Sequence, residues 1–65
     1  MTLGEKIKTA REAKGLSQRK VAELLGVSQP AYREWEQGDS TPNWARMKSI
    51  ARVLEISLDE LAREE

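Results

Sequence analysis

Residues 28–38, Ser28-Gln29-Pro30-Ala31-Tyr32-Arg33-Glu34-Trp35-Glu36-Gln37-Gly38, hold the side chains with the most pointed chemistry in this chain. Ser28 is a good helix N-cap, Pro30 suits a first turn whose N–H groups lack intrahelical partners, and Gly38 suits the residue past a helix end. Tyr32 and Trp35, three apart, form an inward pair. The 3.6-residue period then turns Gln29, Pro30, Arg33 and Glu34 to the opposite side. Those residue types match the edges of nucleic-acid bases. A glutamine amide can bond adenine through N6 and N7, an arginine can take guanine O6 and N7, and a carboxylate can accept from cytosine N4. Pro30 and Ala31 offer apolar contact to a thymine methyl. Two positions keep a second use. Arg33 serves equally on a phosphate or in a surface ion pair, and Glu34 near a polyanion is unfavourable unless it meets a cytosine amino group or an arginine.

Other chemistry is poorly supplied. The 65 residues include no cysteine and no histidine, so disulfide or thiolate-zinc support is excluded, and nucleophile and general-base constellations lose their usual members. Asp59 and Glu60 are adjacent on a helix and cannot converge on one substrate. An enzyme is not expected, nor a cofactor, a metal or a small-molecule ligand. No apolar run approaches the roughly 18 residues of a membrane span, and the start MTLGEKIK lacks a signal-peptide apolar region, so a cytoplasmic protein without a membrane partner is expected.

The formal net charge is zero, which at first sight argues against a nucleic-acid partner. Its distribution argues the other way. Residues 1–54 hold ten of the eleven Lys and Arg and six of the eleven Asp and Glu, an excess of four positive charges, and residues 55–65 carry the matching negative excess. A basic body with an acidic tail is what a local cationic surface looks like in sequence.

Five helical segments are predicted, with no strand, repeat or low-complexity linker. Thr2-Leu3-Gly4-Glu5 has the form of a capping box, with Leu3, Ile7 and Ala10 on one face until Gly15 stops the helix. The second helix opens at Ser17 and places Val21, Leu24 and Leu25 inside before Gly26. Residues 28–37 form the third. Thr41 is predicted as the N-cap of the fourth with Pro42 at its first position, followed by Trp44, Met47, Ile50, Ala51 and Leu54 at helical spacing. Trp44 either covers the edge of the core or stands partly exposed. Ser57-Leu58-Asp59-Glu60 repeats the capping-box form, and Leu58 and Leu61 dock the last helix. A chain this small needs nearly every apolar side chain for its core, so Leu3, Ile7, Val21, Leu25, Met47, Ile50, Leu54, Leu58 and Leu61 are assigned there.

Only Gly26 and Val27 lie between Leu25 and Ser28. Gly26 accepts the positive φ of a tight turn, small Ala22 lets two helix axes approach, and Val27 plugs the corner, which is helix-turn-helix geometry over about residues 17–37. The run Leu16-Ser17-Gln18-Arg19-Lys20-Val21-Ala22-Glu23-Leu24-Leu25-Gly26-Val27-Ser28-Gln29 resembles the lambda-repressor-like, Cro/CI-type (XRE-family) helix-turn-helix domain. Trp35-Glu36-Gln37-Gly38, Thr41-Pro42 and Ile56-Ser57-Leu58-Asp59-Glu60-Leu61 extend the resemblance over essentially the whole chain.

The resemblance implies an all-α, compact five-helix bundle spanning residues 1–65 as one domain, binding double-stranded DNA with its third helix in the major groove. It assigns Gln29 to the first base-reading position, Pro30, Arg33 and Glu34 to the remaining groove-facing positions, and Gln18 to a phosphate. It also pairs Arg11 with Glu36 in a partly buried ion pair joining the first helix to the third. Further phosphate contacts are expected from Ser17 and Ser28 at helix N-termini, from Arg19, Lys20, Gln37 and Arg46, and from Ser40, Thr41 and Asn43 in the loop.

Three features depart from the family pattern. Tyr32 stands where a smaller aliphatic is usual, so its ring needs extra room or its hydroxyl must reach the surface. Glu55 stands where glycine often ends the fourth helix, which predicts strain there. The loop is poor in Lys and Arg, which predicts modest affinity with a shallow salt dependence. The resemblance implies a transcription regulator working as a monomer or as a weak homodimer on a palindromic site. The chain ends just after the fifth helix, so no effector domain is expected. Dense capping signals would equally suit an idealised, engineered DNA binder. The other reading is a protein-interaction module, such as an antitoxin or regulatory partner, supported by the neutral charge, the acidic tail and the tryptophans.

Overall fold

A computed structural model describes residues 1–63 as five helices in the order α1 (Leu3–Ala13), α2 (Gln18–Leu25), α3 (Gln29–Gln37), α4 (Trp44–Leu54) and α5 (Leu58–Ala62). Each opens on a short polar side chain that accepts from a backbone N–H three residues on: Thr2, Ser17, Ser28, Asn43 and Ser57. At Thr2 the Glu5 carboxylate also accepts from the Thr2 N–H at 2.8 Å, completing the capping box. At Ser57 only the hydroxyl half is present, and Glu60 faces Arg63 at 3.5 Å instead.

The predicted start of α4 is corrected by two residues. Asn43, a stronger cap than threonine, takes the Arg46 N–H at 2.9 Å, while Pro42 is buried as part of the preceding loop. Met47, Ile50 and Leu54 keep their common face in either register.

Four helices end on one pattern. The left-handed residues Gly15, Gly26, Gly38 and Glu55 each let the following N–H, that of Leu16, Val27, Asp39 and Ile56, return to a carbonyl in the last turn. This Schellman closure needs positive φ, and Glu55, at φ 55°, adopts it with a side chain.

The core joins Ile7 of α1, Val21, Ala22 and Leu25 of α2, Tyr32 and Trp35 of α3, Met47, Ile50 and Leu54 of α4, and Leu61 of α5. Leu3, Ala10, Val27 and Leu58 are only partly buried against it. Leu24, expected inside, is 52% exposed. Helical geometry places it roughly 100° from the centre of the face formed by Val21, Ala22 and Leu25. Trp44 is 58% exposed, on the first turn of α4 and to one side of its buried stripe.

Two contacts have no counterpart in the apolar pattern. Gly4 packs directly on α3, where an added Cβ would lie 2.2 Å from the Glu36 carbonyl oxygen. Lys6 is 5% exposed and its ammonium donates to the carbonyls of Glu60 at 3.0 Å and Arg63 at 2.6 Å, fastening α5 to α1 through the orphan carbonyls of a helix end.

Candidate nucleic-acid interface

Helix α3 is held from behind. Tyr32 is fully buried and Trp35 nearly so, their rings meeting edge to face at 6.1 Å between centroids. That arrangement leaves Gln29, Pro30, Arg33, Glu34 and Gln37 exposed along the other side of α3. Gln29, Pro30 and Arg33 line one shallow open depression. The larger depression, lined by Met1, Leu3, Met47, Leu61 and their neighbours, includes only Thr41 of the site residues. It follows the gap between the N-terminus and α5.

The turn before α3 follows from Gly26 at φ 73°, with the Val27 N–H returning to the Ala22 carbonyl at 3.0 Å. Arg46 of α4 closes the end of α2 by donating from Nη1 to the Leu25 carbonyl at 3.1 Å. Half-buried and anchored there, Arg46 braces the turn with at least part of the charge expected to face phosphate.

Behind α3 lies a polar cluster joining three helices. Arg11 Nε is 2.7 Å from Glu36 Oε2, Arg11 Nη2 is 3.3 Å from Oε1, and Arg11 Nη1 donates to the Leu16 carbonyl at 2.8 Å. Gln18 Nε2 adds a third donor to Glu36 Oε1 at 3.0 Å. Burial by itself would raise the Glu36 carboxyl. The Arg11 bonds, the adjacent Tyr32 hydroxyl and the Gln18 amide outweigh it and hold the group below the ordinary carboxylate range. Burial pushes the Tyr32 phenol far up, and the neighbouring carboxylate adds to the rise. Tyr32 sits four residues before Glu36 on the same helical face, yet its hydroxyl forms no well-aligned hydrogen bond. Among the described residues it is the buried side-chain polar atom without a partner in strict hydrogen-bond geometry, although it lies against the Glu36 carboxylate and helps to hold that group charged. The hydroxyl therefore does not reach the surface; the ring takes room inside the bundle.

The candidate phosphate-facing groups fall into two kinds. Ser17, Ser28 and Asn43 use an oxygen to accept a helix N–H, from Lys20 at 3.0 Å, Ala31 at 3.2 Å and Arg46 at 2.9 Å. Each cap thereby leaves a donor, a hydroxyl hydrogen or an amide, for an anion outside the helix. Arg19 and Lys20 are exposed on the first turn of α2, Gln37 and Thr41 are exposed, and Ser40 is half-buried. Gln18 is half-buried between the two kinds of environment, with one amide hydrogen committed to Glu36.

Sequence reasoning did not find Gly4, Lys6 or the Gln18–Glu36 bond. A glycine inside the first turn of a strongly capped helix is the signal that could have flagged Gly4, because helix propensity disfavours it there. Nothing in the spacing marks Lys6, whose partners are backbone atoms more than fifty residues away.

Two helices joined by a three-residue turn, Gly26 to Ser28, with the second presenting a polar strip, define a helix-turn-helix domain. Residues 7–61 match the helix-turn-helix family HTH_3, and the chain belongs to that family. It is 36% identical to the uncharacterized HTH-type transcriptional regulator YqaE of Bacillus subtilis (strain 168) over 94% of this chain and 53% of that protein. It is 38% identical to the HTH-type transcriptional activator BcrR of Enterococcus faecalis over 94% of this chain and 30% of that protein. The chain thus spans about half the length, or less, of these curated relatives. In structure it is similar to the P22 c2 repressor protein solved with synthetic operator 9T, at a TM-score of 0.92 and 26% identity, covering 100% of this chain and 98% of that one. The lambda-repressor-like, all-helical fold expected from the sequence is the observed one.

Proposed function

We propose that this chain is a sequence-specific double-stranded DNA-binding domain of a transcription regulator. It acts by occupying its site, without catalysis, wherever the cell keeps its DNA. Helix α3 enters the major groove, with Gln29, Pro30, Arg33 and Glu34 reading base edges. The donors at Ser17, Gln18, Ser28, Gln37, Ser40, Thr41 and Asn43, with the charges of Arg19 and Lys20, hold the flanking phosphates. The observation that carries this reading is the exposed polar strip of α3, presented by a rigid Arg11–Glu36 brace on a fold similar to a repressor solved with its operator.

The relatives' names include both activator and repressor functions, and the α3 strip favours neither. The direct experiment is selection of bound duplexes from a random-sequence pool at near-physiological salt. Enrichment of a short motif is expected, and a palindromic motif would mean that two copies bind together. A pool without enrichment would overturn the reading and favour a protein partner, for which the exposed Leu24 and Trp44 are the apolar contact points.

A further inference from the structure

The turn between α2 and α3 sets where the reading strip lies relative to the first turn of α2, so a group that holds the turn acts on both. Within α2 and the turn, the Gly26 N–H donates to the Glu23 carbonyl at 3.2 Å and the Val27 N–H to the Ala22 carbonyl at 3.0 Å. These bonds serve carbonyls inside the last turn and leave that of Leu25, the final helical residue. The carbonyl end of a helix carries partial negative charge, which a cation in the last turn offsets. Helix α2 has no basic residue there, and Glu23 adds a carboxylate. The missing cation comes from α4. Arg46 is held at its backbone N–H by the Asn43 cap at 2.9 Å, and its Nη1 donates to the Leu25 carbonyl at 3.1 Å. The first turn of α4 is thereby fastened to the last turn of α2 through one half-buried side chain.

We propose that Arg46 is a positioning residue for DNA recognition: acting from α4, it fixes the angle between α2 and α3, and it supports affinity by holding the turn instead of neutralising a phosphate. Ser17 and Gln18 stand at the start of α2, and Gln29, Pro30, Arg33 and Glu34 stand on α3. Both sets engage one duplex together only when that angle is kept. A duplex of unrelated sequence is held mainly through its phosphates and tolerates a change in the angle. A preferred duplex is held at its base edges as well and does not. Arg46 in this way contributes to preference without touching a base. The affinity half of the proposal rests on the DNA-binding reading, whereas the hold on the turn is measured in the free protein.

Arg46→Met keeps the aliphatic bulk, removes the donor and the charge, and separates the two roles. In the free protein, hydrogen exchange at the Val27 amide is expected to speed up about tenfold relative to the core amide of Ile7, the scale of one charge-assisted hydrogen bond. Affinity for an enriched duplex is expected to fall about tenfold and affinity for an unrelated duplex by less than about threefold, with the slope of log affinity against log salt unchanged. A phosphate contact gives a different pattern, equal losses on both duplexes and a slope shallower by about one. That pattern would overturn the proposal, and so would an unchanged Val27 exchange rate. Should Arg46→Met not fold, the duplex measurements are made on Arg46→Lys, which keeps the charge and lacks the planar guanidinium. A reduced preference for the enriched duplex at unchanged slope then supports positioning, and a preference equal to that of the wild type overturns it. Wild-type protein that retains no duplex, together with faster Val27 exchange in Arg46→Met, would overturn the DNA-binding reading and the affinity half with it, leaving Arg46 as a hold on the turn alone.

Discussion

Gly4→Ala sets two opposed effects against each other, and their sign can be worked from the structure. Alanine is the better helix former, and on propensity alone the change would stabilise by up to about 1 kcal/mol. The added Cβ, however, would lie 2.2 Å from the Glu36 carbonyl oxygen and 2.8 Å from both the Glu36 carbonyl carbon and the Trp35 carbonyl oxygen. Ordinary contact begins near 3.4 Å, so α1 and α3 must separate by about 1 Å, and the obstructing atoms are backbone that cannot rotate aside. Overpacking of this kind costs about 1–3 kcal/mol or more, which outweighs the propensity gain. A net loss of about 1–2 kcal/mol lowers the melting temperature of a domain this size by about 5–15 °C. Thermal unfolding followed by helical circular dichroism measures it, with urea unfolding to check that the denaturant slope is unchanged. Because the displaced carbonyls belong to α3 itself, affinity for a selected duplex should fall as well. A melting temperature equal to or above that of the wild type would refute the close-approach argument.

At Glu55, replacement by glycine removes a left-handed strain of about 1–2 kcal/mol and loses an exposed bond to Lys14 at 2.9 Å. It also adds unfolded-state freedom worth about 0.5–1 kcal/mol. A small net stabilisation in thermal unfolding is expected, and a lower melting point would mean that the Lys14 contact dominates. Glu36 has a folded-state pKa below its unfolded one, so its contribution is complete above about pH 4.5 and disappears as pH falls through the folded value. The melting-temperature gap between wild type and Glu36→Gln should therefore narrow on acidification, and a gap constant from about pH 7 to pH 3 would remove the carboxylate's charge from the account. Gln29→Ala should cost about 1–3 kcal/mol at one base position and relax preference there. Lys20→Ala should weaken all duplexes alike, and uniform losses for Gln29→Ala would take that residue out of base readout.

What the sequence revealed about this fold came from local chemistry with a fixed reach. Caps act across three residues, left-handed glycines across five, and apolar stripes across each helix, so the five helices and the α2–α3 turn were legible. The same locality explains the errors. Thr41 and Asn43 both make plausible caps, and the choice between them depends on the burial of Pro42, a tertiary event. Leu24 is apolar and beside the stripe, but Val21, Ala22 and Leu25 already fill the contact. Gly4, Lys6 and Gln18 were illegible because their partners are a backbone carbonyl on α3, two carbonyls on α5 and a carboxylate eighteen residues away.

The reading strip and its support follow different rules for this reason. Gln29, Pro30, Arg33 and Glu34 have no contacts to satisfy in the free protein beyond staying on the exposed side of α3, so helical period alone locates them. Their orientation is set by groups on the hidden side, where each donor is assigned: Arg11 to Glu36 and to the Leu16 carbonyl, Gln18 to Glu36, and Arg46 to the Leu25 carbonyl. Substitutions on the exposed strip should thus change which duplex is preferred while leaving folding nearly intact. Substitutions at Arg11, Glu36 or Gly4 should shift stability and affinity together, since they move the helix that carries all four readers.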